Sequence, residues 1–287
     1  MEDAPSPRAL VTGDGTATAT ASPPGTPPAA APDDLQRLGY ARYRARDLGL
    51  EGTAYAGDLA QLADAYQRLP ADPYAPATNR FRRYSHAVHL PWTGELHFVP
   101  GTPDDEYGSV TEYWQDEHNP EYPNVRRRLP DLPEALRANA LLRHLVHADL
   151  RRIGWLEELR RTPLYIGVHL IKLGVHDRLK AAVSSPDCLH QDGGSPTTFT
   201  FAHLIGCDNV EGGENVIATP ESAGRQPDEL SPDALHARFT LTEPLDGYAV
   251  HDHRVSHYVG PVRRGGGPGP GERRILIIGM ARYAPRL

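Results

Sequence analysis

The residues best placed to do chemistry begin with Cys188-Leu189-His190-Gln191-Asp192-Gly193-Gly194. In extended backbone, residues i and i+2 point the same way, so His190 and Asp192 can offer an imidazole nitrogen and a carboxylate oxygen to one point. The glycines that follow let the chain turn closely away. Two donors do not hold a metal, so a third must come from elsewhere. The densest source is His251-Asp252-His253-Arg254-Val255-Ser256-His257. On an unbroken strand its histidines share one face, and parity does not choose among them. The residues after them do: His257 runs into Tyr258-Val259-Gly260-Pro261-Val262, apolar chain entering a turn, as expected at a strand end beside a pocket. His190, Asp192 and His257 then supply two imidazoles and one carboxylate. That set leaves coordination positions open and suits a non-haem Fe(II) that binds a co-substrate and oxygen. Zinc accepts the same donors with a water, and a purely structural His-x-Asp pair needs no metal at all.

Arginines weigh on the choice of metal. Glu272-Arg273-Arg274 leads straight into the apolar run Ile275-Leu276-Ile277-Ile278-Gly279-Met280. Arg273 and Arg274 must face opposite ways on a strand, which predicts one solvated guanidinium and one turned inward. An inward guanidinium is costly unless it meets an anion, and a dicarboxylate such as 2-oxoglutarate provides one. Upstream, Arg80, Arg82 and Arg83 read either as a solvated strand face or as a clamp for a carboxylate-bearing ligand. Tyr113, Trp114 and Gln115 read as pocket walls or as core. Cys188 and Cys207, the only cysteines, read as free buried thiols of a reducing cytosol.

These residues need a scaffold, and 287 residues are ample to bury one core. Residues 1–32 are Ala, Thr, Pro, Gly and Ser with hardly a large apolar side chain, which predicts a disordered tail ahead of a single domain over 33–287. Asp33 and Asp34 can cap a short helix, and Leu59, Leu62, Tyr66 and Leu69 recur at helical spacing up to Pro70. Asn79–Tyr84 and Ala87–Leu90 read as short strands, residues 107–129 as mostly irregular chain. Pro133 opens a long helical region that breaks before Ile153. From Tyr165 onward the character is strand: Tyr165–Val175 is apolar on both faces, followed by Thr198–Ile205, Leu241, Tyr248–Val255 and Ile275–Met280. Helices first and strands afterwards predict an α+β fold, a closed or sandwiched β core with helices on one side, mainly from the N-terminal half. The net charge of −7 and the lack of a basic run argue against a nucleic-acid surface, and no apolar run has the length of a membrane span. A cytoplasmic protein is the expectation.

With these residues in view, the chain resembles the 2-oxoglutarate and Fe(II)-dependent dioxygenases that include bacterial L-isoleucine 4-hydroxylase. The matching pieces run in order from Asp72-Pro73-Tyr74 and Arg80-Phe81-Arg82-Arg83 through Tyr113-Trp114-Gln115 with Asn119-Pro120 to His190-Gln191-Asp192-Gly193. They continue with His203-Leu204-Ile205, Asn209-Val210-Glu211-Gly212-Gly213, Asp252 with His257, Val259 and Pro261, and finally Arg273. The resemblance spans roughly residues 70–283. It implies a double-stranded β-helix of jelly-roll type. It further implies Fe(II) on His190, Asp192 and His257, with Arg273 pairing the far carboxylate of 2-oxoglutarate. The implied activity oxidises a free L-amino acid or similar small amine-bearing acid with molecular oxygen, releasing succinate and CO2. Hydroxylation is the usual outcome; related sites also desaturate or cyclise. For the substrate carboxylate the candidates are Arg80, Arg82 and Arg83, with Trp114 as a pocket wall. The sequence departs from the family at Arg274, where an acidic residue is usual, and in the stretch from Pro220 to Ala237. Two rival expectations remain: a zinc-dependent hydrolase or lyase on a cupin-like sandwich, and a metal-free module that binds a small molecule.

Overall fold

The computed structural model describes residues 33–50, 53–115 and 121–284, so the tail read as disordered lies outside the described residues. The chain begins with α1 (Asp34–Leu38), β1 (Tyr40–Tyr43) and α2 (Ala56–Gln67). Next come β2 (Arg80–Leu90), β3 (Glu95–Phe98), β4 (Thr102–Asp104), β5 (Gly108–Trp114) and β6 (Arg126–Pro130). Helices α3 (Glu134–Arg137), α4 (Ala140–Ile153) and α5 (Glu157–Arg161) precede β7 (Leu164–Val175), β8 (Ala181–Ala182) and β9 (Phe199–Asp208). The rest is mainly strand: β10 (Val210–Gly212), β11 (Asn215–Ala218), β12 (Leu235–Phe239), β13 (Gly247–His251), β14 (Ser256–Val259), β15 (Val262–Arg264) and β16 (Gly271–Arg282).

Strands distant in sequence become neighbours. The main sheet runs β1-β13-β9-β16-β7-β2-β3, with antiparallel pairs. Two smaller sheets, β10-β15-β8 and β12-β11-β14, pack against its inner face. Alternation along the strands divides the core. Leu276, Ile278 and Met280 of β16 join Leu62 and Tyr66 of α2 and Leu141, Leu142 and Leu145 of α4 on one side. Ile275, on the other face of the same strand, packs with Ile217, Phe239 and Tyr248 between the sheets. Burial on both faces explains why β7 and β16 read as continuous apolar runs. The result is an α+β fold with a double-stranded β-helix core of jelly-roll type and flanking helices. Among the described residues no helix is long and apolar enough to cross a membrane.

Several local expectations change. The two short strands before Pro91 are one, β2. The helical region after Pro133 breaks at Ala138-Asn139, because the Asn139 side chain accepts the Leu142 N–H at 2.9 Å and starts α4, which runs through Ile153. Much of the stretch read as irregular is the β5–β6 hairpin. Its buried positions include Thr111 and Arg127, with Gln115 just beyond, so it shows no apolar period of two. Leu241 is buried outside any strand. Both cysteines are free, but neither is buried: Cys188 is half-buried and Cys207 is exposed.

Candidate metal centre and its cavity

The local backbone brings the two histidines together. His190 N–H donates to His257 O and His257 N–H to His190 O, both at 2.9 Å, and the ring centroids stand 4.3 Å apart. Asp192 completes the group: Oδ1 lies 3.9 Å from His190 Nε2, and Oδ2 lies 3.6 Å from His257 Nε2. One ligand atom from each residue lies within 4.8 Å of the others. The strand geometry behind this differs from expectation. His190 makes only an isolated bridge, and Asp192 already belongs to the bend toward Gly193. Nor do the three downstream histidines share an unbroken strand, since β13 ends at His251 and a turn carries Asp252–Arg254. His253 is exposed there, within hydrogen-bond distance of Gly194 O, while His251 meets Pro196 O. The turn, rather than parity, separates them from His257.

The donor chemistry fits a divalent metal. His190 Nδ1 donates to Cys188 O at 2.9 Å, which leaves Nε2 with a lone pair on the side of Asp192. Burial and then His190 push the His257 imidazolium down to about 3, against the pull of Asp192, so this ring is neutral. Burial opposes ionisation of Asp192, but His257 and His190, with hydrogen bonds from Thr200 and Gln115, hold its carboxyl below the ordinary value. Neutral imidazole and ionised carboxylate are the forms that ligate. Outer contacts fix the carboxylate: Gln115 Nε2 donates to Oδ1 at 2.9 Å and Thr200 Oγ1 to Oδ2 at 3.0 Å. Arg127 Nη2 in turn donates to Gln115 Oε1 at 2.6 Å. Asp252, buried behind, accepts the Asp192 N–H; burial and then Asp192 push its own carboxyl well above the ordinary range.

The cluster lies on a cavity, open to solvent, whose non-atom space is about 870 Å³ with the open solvent counted. Strand register explains its walls. Arg273 on β16 pairs with Leu173 on β7, which pairs with Arg80 on β2; the next rows carry Ile275, Ile171 and Arg82, then Ile277, His169 and Tyr84. Arg273 is 3 % exposed, and its Nε and Nη2 have no hydrogen-bond partner. Arg274 turns the other way and pairs with Asp208. Arg80 and Arg82 line the cavity. Arg83, of opposite parity on β2, does not: its Nη1 donates to Asp131 O at 2.6 Å, which removes it from the candidates for substrate binding. Trp114 lines a neighbouring cavity that shares Tyr113, Gln115, His169 and Asp192 with the first. Sequence reasoning missed Arg127, Asp72 and Thr200 as parts of the site. Asp72 was visible only as a fragment of the family resemblance, and the others carry no local signal.

Comparison with known proteins assigns the class. Residues 63–279 match the family described as 2OG-Fe dioxygenase. The chain belongs to that family and is an oxygenase dependent on Fe(II) and 2-oxoglutarate, whose His190, Asp192 and His257 resemble the two-histidine, one-carboxylate triad of its members. It is 30 % identical over 227 residues to the 3(1)-hydroxy-L-isoleucine 4-dioxygenase of Pantoea ananatis (strain AJ13355), covering 78 % of this chain and 81 % of that protein. Among solved structures, IDO from Bacillus thuringiensis superposes with a TM-score of 0.65 at 19 % identity, covering 88 % of this chain and 93 % of the other. A bsmA homolog from Methylobium petroleophilum PM1 gives 0.67 at 18 % identity, with the same 88 % and 93 % coverage. These two likenesses bear on the fold.

Proposed function

We propose that the protein hydroxylates a small free amino acid at an unactivated C–H bond. His190, Asp192 and His257 hold the iron, and Arg273 neutralises the distal carboxylate of 2-oxoglutarate. The observation that carries this reading is the conjunction of a two-histidine, one-carboxylate cluster and a buried guanidinium with two unpartnered nitrogens in one cavity. When bound, iron and co-substrate supply the oxidising power, with succinate and CO2 as the co-products.

The chain's own residues place and insulate. Thr200 and Gln115 hold the Asp192 carboxylate from both oxygens, so its lone pairs keep a fixed direction. Leu173, Ile171, Ala202, Ile275 and Ile277 give the floor an apolar lining that excludes water from the reacting carbon. Arg80 and Arg82 stand on the β2 wall, where a substrate carboxylate can be met by paired N–H groups. The Pantoea relative's name makes an amino acid the first class to test.

The test is a screen of free amino acids with Fe(II), 2-oxoglutarate and air. The expected result is succinate formation that depends on one amino acid and is matched by a product heavier by one oxygen atom. Hydrolysis supported by zinc, with no succinate, would give the site to the rival chemistry.

A further inference from the structure

Three guanidiniums are gathered on the side of the cavity built by β2 and β6. Arg80 and Arg82 come from β2 and Arg127 from β6, and they are 6 %, 3 % and 2 % exposed. One carboxylate serves two of them: Asp72 Oδ2 stands 3.6 Å from Arg80 Nη1 and 3.8 Å from Arg82 Nη1. Their other polar contacts are neutral. Arg80 Nη1 donates to Ser185 O at 3.4 Å, Arg82 Nη2 approaches His169 Nδ1 at 2.6 Å, and Arg127 Nη2 donates to Gln115 Oε1. The Tyr113 ring lies under both Arg82 and Arg127, at 4.8 and 4.6 Å from its centroid, and Tyr122 lies 5.0 Å from Arg127. The Nε of each arginine has no hydrogen-bond partner. Burial and then Arg82 and Arg80 keep the His169 imidazolium from forming, so that ring adds no charge.

Among the described residues the wall therefore carries three positive charges against one negative. Aromatic faces soften such an excess without neutralising it, and buried cations without counter-charge are unstable arrangements unless a ligand completes them. Arg80 stands two strands from Arg273 across Leu173, about 10 Å by strand spacing, so a co-substrate held by Arg273 leaves this wall to another molecule. An aliphatic amino acid brings one carboxylate and its own ammonium, which leaves Arg127 without an anion. Among the described residues lining the cavity, the only carboxylate is Asp192. We propose that the substrate is a dicarboxylic amino acid, its α-carboxylate met by Arg80 and Arg82 and its side-chain carboxylate by Arg127. This rests on the reading that the cavity holds an amino acid beside 2-oxoglutarate. A carboxylate suits Arg127 because a guanidinium stacked on an aromatic ring presents its N–H edge in the plane of the fork.

The test compares acids with their own amides on the protein loaded anaerobically with Fe(II) and 2-oxoglutarate. L-glutamate against L-glutamine and L-aspartate against L-asparagine are titrated by calorimetry, with L-isoleucine alongside. At least one acid is expected to bind about tenfold or more tighter than its amide, a modest floor for a site built around a buried polar partner. Arg127→Met is expected to erase that ratio and Arg127→Lys to restore part of it, whereas damage to the iron site or the fold would weaken acid and amide together. Should Arg127→Met fail to fold, the wild-type ratios decide alone. Amide or isoleucine binding as tightly as the acids, no amino acid binding at all, or a ratio unchanged in Arg127→Met would each overturn the proposal. The charge-transfer band of iron-bound 2-oxoglutarate is read in the same samples. If the band forms and the ratios are flat, only the dicarboxylic substrate is lost; if no band forms, the oxygenase reading falls and takes this inference with it.

Discussion

Two groups of buried guanidiniums face one cavity, and they are built on different plans. Arg273 stands singly on β16 among mostly apolar neighbours, with two of its nitrogens unpartnered and, among the described residues, no carboxylate within ion-pair distance. Arg80, Arg82 and Arg127 come from β2 and from the β5–β6 hairpin: Arg80 and Arg82 share Asp72, Arg82 and Arg127 lean on Tyr113, and Arg127 reaches the metal cluster through Gln115. A lone cation on an apolar floor can bind one end of one ligand and has nothing to replace it if lost. A braced set divides its ligand among several donors, so losing one member changes selectivity more than it abolishes binding. On the function proposed above, the first plan suits a station for an invariant co-substrate and the second a station that defines the substrate.

The most damaging change strikes the cluster between the two stations. Asp192→Ala removes its only carboxylate, and amino-acid-dependent succinate formation should fall by more than about 100-fold, beyond what loss of an outer partner costs. Arg273→Met should raise the Kd for 2-oxoglutarate by about 100-fold or more, because it strips a buried ligand carboxylate of its only cation. Titration of the charge-transfer band measures this, and the affinity for the amino acid should move far less. Gln115→Leu cuts the link from Arg127 to Asp192 and should weaken iron binding by about 10- to 100-fold, read by competition with a chelator. Arg82→Met should raise the KM for the amino acid by about tenfold, the worth of one hydrogen bond to a charged group, with little change for 2-oxoglutarate. Equal losses for both ligands in Arg82→Met and Arg273→Met would erase the distinction between the stations.

The smallest effect concerns stability and pH. Burial and then the neighbouring arginines hold the His169 imidazolium well below its ordinary 6.5. As pH falls through that value the unfolded chain takes up a proton that the folded chain refuses. Stability is therefore present above about 6.5 and is lost below it, by about 1.4 kcal/mol per pH unit for this one group. His169→Gln should flatten the acid limb of a plot of unfolding free energy, from urea titrations, against pH by that amount.

Legibility followed locality. His190 and Asp192 stood out because one short segment carries both, and Arg273 because strand parity forces it and Arg274 apart. Arg80 and Arg82 were nominated with Arg83, and the continuous β2 strand, which the sequence split in two, is what separates them by parity. Arg127 was invisible for another reason. It lies in a hairpin where polar Thr111 and Arg127 are buried beside Val110 and Leu129, so no clean apolar alternation announces a strand, and its role depends on Tyr113 and Gln115 from the facing strand and its end. His257 was chosen for the apolar turn that follows it, yet the structure separates it from His253 by a turn that precedes it.

The most direct test of the central claim is the anaerobic visible spectrum of the purified protein with Fe(II) and 2-oxoglutarate, recorded for the wild type, His257→Ala and His253→Ala. A metal-to-ligand charge-transfer band is expected in the wild type and in His253→Ala and is expected to vanish in His257→Ala. A band that survives in His257→Ala and is lost in His253→Ala would place the third ligand elsewhere. No band in the wild type would contradict iron and 2-oxoglutarate at this site altogether.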